Sequence, residues 1–92
     1  MADPEQDWLR LDKFLVFARF CKTRATAATL VAQGSVRLNS QHADKPHTKL
    51  RPGDVLTLAL PRGVLVVEVL ALPARRGPAS QARQLYREVG PA

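Results

Sequence analysis

The sequence predicts an α+β fold, with two short N-terminal helices packed on a small sheet and one short helix near the C-terminus. The apolar residues have helical spacing in two early segments, take strand patterns from residue 36 onward, and return to helical spacing over residues 80–89. The chain of 92 residues is long enough for one small domain, which buries about 60–65% of the surface of its unfolded chain.

The first half of the chain is expected to form the two helices. Within residues 9–20, the apolar residues recur at helical spacing and form one face of the predicted helix. These residues are Leu11, Phe14, Leu15 and Ala18. The second helix is expected to begin after Thr23, a favourable N-cap residue, and to end before Gly34, which suits the positive φ found just after helices. Its inward-facing residues are expected to be Ala27, Leu30 and Val31.

The second half of the chain is expected to form the sheet. Val36 and Leu38 alternate with polar residues, and residues 55–60 and 64–70 are almost continuously apolar, which indicates strands with both faces partly covered. Turns are expected at residues 39–40, 52–54 and 61–63. Ser40 makes the first of these weaker than Asn-Gly, because serine resists positive φ.

The two ends of the chain are expected to lie outside the central domain. We expect a flexible acidic tail over residues 1–8, a domain over residues 9–72, and an extension over residues 73–92. The prolines between residues 73 and 78 interrupt regular structure. A helix is then predicted over residues 80–89, with one stripe formed by Ala82, Leu85, Tyr86 and Val89.

The charge is strongly positive and unevenly distributed. The formal net charge is +6, and residues 10–51 carry nine lysines and arginines against two aspartates. Such a concentration favours a polyanion partner over a merely solvated surface. No apolar run approaches the roughly 18 residues that a membrane span requires, so we expect no membrane partner. The acidic N-terminus and the single Cys21 fit a cytoplasmic protein without disulfides.

The strongest candidate for phosphate binding is the corner between the two helices. The first N–H groups of a helix are unpaired and carry a partial positive charge, which attracts a phosphate. Thr23 adds a hydroxyl there, and Lys22 and Arg24 add full charges. Arg10 and Lys13 are expected to project toward the same side, which weakens the alternative that Thr23 is only a cap.

A second group of candidates follows on the first strand and the next loop. Arg37 and Asn39 point away from the core, where arginine can bind a phosphate and asparagine can read a base or 2′-hydroxyl, although a turn-forming role is the simpler one for Asn39. The basic loop is expected to extend the surface through Lys45, Lys49 and Arg51.

Catalytic and metal chemistry are not expected. Cys21, His42 and His47 match no zinc spacing, so we expect no metal and no cofactor. Asp12 is interpreted as a local charge partner or helix-start acid rather than a catalytic group. The scarcity of aromatic residues favours structured RNA, recognised by shape and phosphate, over a stacking platform for single strands.

The joint spacing of these residues resembles the S-four RNA-binding domain, a module named after ribosomal small-subunit protein four. The resemblance covers about residues 9–57 and rests on Arg10 to Leu15, Lys22 to Arg24, Leu30, Val31, Gly34, Val36, Arg37, Asn39 and Arg51 to Asp54. It implies the αL motif, in which two helices pack on a small, twisted, mostly antiparallel sheet. It also implies RNA contacts by Arg10, Lys13, Lys22, Thr23, Arg24, Arg37 and Asn39.

Residues 71–79 and the following Leu85-Tyr86 are similar to the heat shock protein fifteen family of bacteria. That resemblance implies a non-enzymatic protein that docks on ribosomal RNA of free large subunits carrying a stalled nascent chain on tRNA. We expect the protein to be a monomer. Contacts with tRNA or DNA remain open, since phosphates do not discriminate between nucleic acids. The alternatives are an accessory that delivers RNA to a modifying enzyme, or a basic module that binds an acidic protein, with residues 80–89 as a docking helix.

Overall fold

The computed structural model describes residues 8–43, 45–73 and 77–90. The elements, in chain order, are β1 (Leu9–Arg10), α1 (Leu11–Phe17), α2 (Arg24–Ala32), β2 (Val36–Leu38), β3 (Gln41–His42), β4 (Lys49–Leu50), β5 (Val55–Leu60), β6 (Gly63–Val69), α3 (Ala79–Ala82) and β7 (Tyr86–Gly90). The predicted α+β class is confirmed. The proposed tail over residues 1–8 lies almost wholly outside the described residues.

Helix α1 is shorter at both ends than the predicted helix over residues 9–20. Its N-terminal end is replaced by β1, which pairs antiparallel with β4. The N–H groups of Leu11 and Asp12 donate to the carbonyl oxygens of Thr48 and Pro46 at 2.9 and 3.0 Å. These long-range bonds satisfy the start of the helix in place of a side-chain cap, and a local apolar pattern could not reveal them.

Helix α2 begins and ends where the sequence predicts. The Thr23 hydroxyl accepts a hydrogen bond from the N–H of Thr26 at 3.1 Å, which makes it the N-cap. Gly34 has φ of 78°, in the left-handed region that a helix C-terminus commonly requires. Ala27 and Val31 are buried, whereas Leu30 packs at the edge of the core.

The main sheet is antiparallel throughout and has the order β3-β2-β5-β6-β7. Alternate residues along the central strands are buried beneath the helices, among them Val36, Leu56, Leu58, Val67 and Val69. They join Leu11, Phe14 and Leu15 of α1 in one apolar core. The opposite face of the sheet carries the intervening residues and is open to solvent.

The two-residue turn at Asn39-Ser40 connects β2 to β3. Both residues have positive φ, 52° and 71°, as the right-handed twist of a tight hairpin demands. Asn39 tolerates this conformation well, because it donates to Asp54 at 3.1 Å and accepts from the N–H of Val55 at 2.9 Å. Ser40 has no such compensation among the described hydrogen bonds.

The prediction of a helix over residues 80–89 is wrong beyond its first turn. Helix α3 ends at Ala82, and residues 86–90 form β7, which pairs with the edge of β6. An unpaired strand edge offers a row of hydrogen-bonding groups, and this tertiary pairing overrides the local helical spacing. Ala82 and Leu85 are buried, but Val89 is 54% exposed, so no apolar docking stripe forms. The break expected at residues 73–78 falls partly outside the described residues.

Candidate nucleic-acid interface

Asp12 is the charged centre of the corner between the helices. Only 3% of its side chain is exposed, although it lies in the first turn of α1. Its carboxylate accepts from Arg10 Nε at 3.1 Å and Nη2 at 2.9 Å, and from the N–H of Lys13 at 2.8 Å. Arg24 Nη2 approaches the same carboxylate at 3.5 Å. The interpretation of Asp12 as a local charge partner is confirmed.

This shared carboxylate brings the starts of both helices together. Arg10 precedes α1 and Arg24 opens α2, yet both guanidinium groups are directed to one buried acid. They nevertheless remain accessible, with 37% and 52% of their side chains exposed. Asp12 carries one negative charge and the two arginines carry two positive charges, so the three side chains together keep a net positive charge.

The start of α2 retains free backbone donors beside these arginines. Thr23 caps the N–H of Thr26, and its hydroxyl lies 2.9 Å from that of Thr26. The N–H groups of Arg24 and Ala25 have no partner within the described ranges. Lys22 is exposed directly before the cap. A helix start of this kind, flanked by cations, suits an anionic oxygen.

Lys49 joins the corner through the small β1–β4 ribbon. Its Cα pairs with that of Arg10 across the two strands, and its ammonium lies 4.8 Å from the centre of the Trp8 ring. That distance fits a cation–π interaction, which orients the side chain. We use the name cationic corner for Arg10, Arg24 and Lys49, which these contacts position, together with Lys13 and Lys22, which adjoin Asp12 and Thr23 in the chain.

The remaining candidates take no part in the contacts described so far. Arg37 projects from the sheet face opposite the helices, beside an open groove whose lining includes Thr57 and Val64. Asn39 is engaged with Asp54 and Val55 in the hairpin turn. Lys45 and Arg51 are exposed, and the Arg51 N–H donates to Asp54 at 2.8 Å in the turn before β5.

Sequence reasoning missed two features of the corner. It assigned Lys49 to a loop, since a two-residue strand that pairs with residues forty positions away has no local signature. It also gave Asp12 no part in placing the arginines. An acid between Arg10 and Lys13 at a helix start could have suggested the first ion pair, but not the second one, to Arg24.

Other reactive groups in the described residues show no catalytic arrangement. Cys21 is buried, and this burial raises the pKa of its thiol, which disfavours the nucleophilic thiolate. No cluster of three or more histidine, cysteine or acidic side chains suited to a metal occurs among the residues described. Within those same ranges, none of the helices has the length and apolarity that crossing a bilayer requires.

Comparisons with known proteins agree with this architecture. The S4 domain family model matches residues 9–56. Heat shock protein 15 of Escherichia coli K12 is 41% identical over 80 residues, which cover 87% of this chain and 59% of that protein. The RQC P-site tRNA stabilizing factor of Helicobacter pylori is 31% identical over 78 residues, which cover 85% of this chain and 92% of that protein.

A solved structure agrees as well. The structure of Heat Shock Protein 15 from Vibrio cholerae, described as trimeric, superposes with a TM-score of 0.84 at 38% identity. The match covers 89% of this chain and 82% of that one. The present chain spans about three fifths of the length of the Escherichia coli relative. By sequence and by fold, the chain belongs to the S4-domain family and, within it, to the heat shock protein 15 family.

Proposed function

We propose that this protein is a non-enzymatic RNA-binding protein that docks on structured ribosomal RNA through the cationic corner. The observation that carries the proposal is the pair of half-exposed arginines fixed by one buried carboxylate beside the open start of α2. Phosphate oxygens would accept from the free N–H groups of α2 and from the guanidinium groups around them.

The chemistry of the corner favours a folded RNA backbone over an extended single strand. The corner offers cations near both helix starts and free backbone donors at the start of α2, and the Trp8 ring faces Lys49. Rigid donors at fixed spacing select a phosphate arrangement, and structured RNA presents such arrangements through its helical geometry. The position of Arg37 on the opposite sheet face makes it a candidate for a separate contact.

The proposed target is the large ribosomal subunit in the bacterial cytoplasm. The relatives support this target by their names, which refer to heat shock and to stabilization of a P-site tRNA. A subunit that still carries a nascent chain on tRNA would present folded ribosomal RNA and tRNA close together. We propose that the protein reaches this target as a monomer and extends its contact through Lys45 and Arg51.

Sedimentation of cell lysate through a sucrose gradient tests the target. The protein is expected to migrate with free large subunits at low salt, and the double variant Lys13→Ala/Lys22→Ala is expected to shift toward the top fractions. Arg87→Ala provides a control for the loss of a positive charge elsewhere, since it removes one charge from β7, where Arg87 pairs with Glu68 on the open sheet face. It should migrate like the unmodified protein.

Two outcomes would contradict the proposal. Migration with small subunits would reject the proposed target, and recovery only in the soluble fractions at low salt would reject ribosome binding. Copurification with an RNA-modifying enzyme instead would favour the role of an RNA-delivering accessory. Retention of a protein partner after complete nuclease treatment would favour a protein-interaction module.

A further inference from the structure

A second groove lies at the far end of α1, outside the cationic corner. It has a volume of about 520 Å³ and is lined by Phe20, Arg62, Leu65, Arg83, Tyr86 and Glu88. We call it the end groove. Its volume falls in the range of sites that hold small organic ligands. These six residues come from three separate parts of the chain, so the groove exists only in the folded protein.

The end groove contains an aromatic pair. The rings of Phe20 and Tyr86 lie 4.7 Å apart, centre to centre, with an angle of 46° between their planes. Both residues are half-buried at the edge of the core, so each leaves part of its ring accessible. A partly exposed ring held by packing is the usual support for a stacked nucleobase.

Charged side chains of both signs surround this pair. Arg62 and Arg83 are exposed, and neither forms an ion pair with another described residue. Glu88 likewise has no ion-pair partner within the described part of the chain, whereas its neighbour Arg87 pairs with Glu68 on the other sheet face. Two guanidinium groups suit a phosphate, and a lone carboxylate suits the N–H donors of a base.

The end groove is close in the chain to one part of the cationic corner. Phe20 precedes Lys22 by two residues, so their Cα atoms lie at most about 7 Å apart. Arg19, between α1 and Phe20, has φ of 69° and donates through Nη2 to the carbonyl of Gly77 at 2.8 Å. This contact joins the segment before α3 to the end of α1, beside the groove. The groove and the cationic corner therefore adjoin along the chain, where only Cys21 separates Phe20 from Lys22.

We propose that the end groove holds one unpaired nucleotide of the RNA bound at the cationic corner. The base stacks on the exposed surface of Tyr86 and Phe20 and donates an N–H to Glu88, while a neighbouring phosphate is held by Arg62 and Arg83. This inference rests on the proposed function, which it refines: the preferred RNA has a helix followed directly by an unpaired base.

Three RNA probes of the same hairpin test the inference by fluorescence anisotropy. The first probe is blunt, and the second carries three unpaired adenosines. The third carries three abasic nucleotides, which supply the phosphates without the bases. Each extension is tested once at the 5′ end and once at the 3′ end of the hairpin. The protein should bind one adenosine probe about tenfold more tightly than its abasic counterpart, since stacking and base contacts are lost in the latter.

Variants separate the groove from the corner. Tyr86→Leu should abolish the preference for the adenosine probe while leaving affinity for the blunt hairpin unchanged. Arg83→Ala, at an exposed position where folding is not at risk, should weaken binding of the extended probes. Arg87→Ala removes the same charge from the opposite face of β7 and should preserve the preference.

The results that overturn the inference differ from those that overturn the proposed function. Equal affinity for the adenosine and abasic probes at both ends, or an undiminished preference in Tyr86→Leu, would refute the nucleotide site while RNA binding at the corner stands. Absence of binding to every probe at low salt would refute the proposed function and this inference together.

Discussion

At the scale of single residues, the carboxylate of Asp12 connects the starts of the two N-terminal helices. It is the only charged residue among the buried ones within the described ranges, and it bonds to Arg10, to the Lys13 N–H and to Arg24. Buried carboxylates are stable only when such partners are present. Asp12 therefore has two effects, holding the helix starts together and holding two arginines in place.

Asp12→Asn is expected to reduce both stability and RNA affinity. The amide lacks the charge that attracts both guanidinium groups, so the free energy of unfolding should fall by about 1.5–3 kcal/mol. Urea unfolding measures this loss. The folded variant should also bind ribosomal RNA about tenfold more weakly, because two arginines must be ordered on binding.

Glu68→Gln is the matched control for this change. It also removes one carboxylate that pairs with an arginine, but it lies in β6, on the open sheet face. Its stability loss should be at most about 1 kcal/mol, as for exposed ion pairs, and its RNA affinity should not decrease. Undiminished affinity in folded Asp12→Asn, measured well below its unfolding midpoint, would assign Asp12 to folding alone.

At the scale of elements, the β2–β3 hairpin contains an evident strain. Ser40 has φ of 71°, a conformation that costs a residue with a Cβ about 1–2 kcal/mol relative to its usual one. The turn is nevertheless fixed by the antiparallel register on either side, Leu38 with Gln41 and Arg37 with His42. The strain persists because the surrounding pairing determines the backbone.

Ser40→Gly is therefore expected to stabilise the protein. Glycine adopts positive φ without a steric penalty, and the gain should exceed the entropy it adds to the unfolded chain, leaving about 0.5–1 kcal/mol. For a domain of this size, the thermal midpoint should rise by several degrees, measurable by circular dichroism. Ser40→Ala keeps the Cβ and should give no gain. A midpoint lowered by Ser40→Gly would show that the turn is not strained.

At the scale of the whole molecule, cations of both helices and of β4 meet in one place although they are distant in sequence. Lys49 reaches the cationic corner by pairing with β1, and Arg24 reaches it through Asp12. Arg87 and Glu68 form an ion pair on the open face of the sheet. Such a cluster of cations attracts a polyanion to the cationic corner.

Binding to ribosomal RNA should accordingly depend steeply on salt. If about five phosphates are neutralised, a plot of log affinity against log salt should have a slope near −4, measurable by filter binding between 50 and 200 mM salt. Lys13→Ala and Lys22→Ala should each reduce the slope by about one, and Arg87→Ala should leave it unchanged. A slope near zero would show that counterion release does not drive binding.

The sequence predicted what depends on local chemistry. The Thr23 cap, the positive φ of Gly34, the turn at residues 39–40 and the alternation of Val36 and Leu38 all follow from neighbouring residues, and the structure confirms them. The buried position of Asp12 between two arginines and the strand pairing of Lys49 depend on contacts between distant segments, which no local pattern records.

In residues 86–90, local sequence spacing predicted the wrong secondary structure. Their spacing indicated a helix, yet they complete the sheet because β6 offers an open edge. The error also concealed the pairing of Tyr86 with Phe20, and with it the end groove. Tertiary pairing decides structure where intrinsic preferences are weak.

The hydrogen bonds between Arg10 and Asp12 affect how fast and how selectively the protein binds an anionic ligand. A guanidinium has five N–H donors, and Asp12 occupies two of those of Arg10. The others have no partner among the described residues, so the same side chain can bind an internal acid and an incoming anion at once, without rearrangement. The Arg10 side chain is ordered during folding, so the ligand meets a pre-organised binding surface.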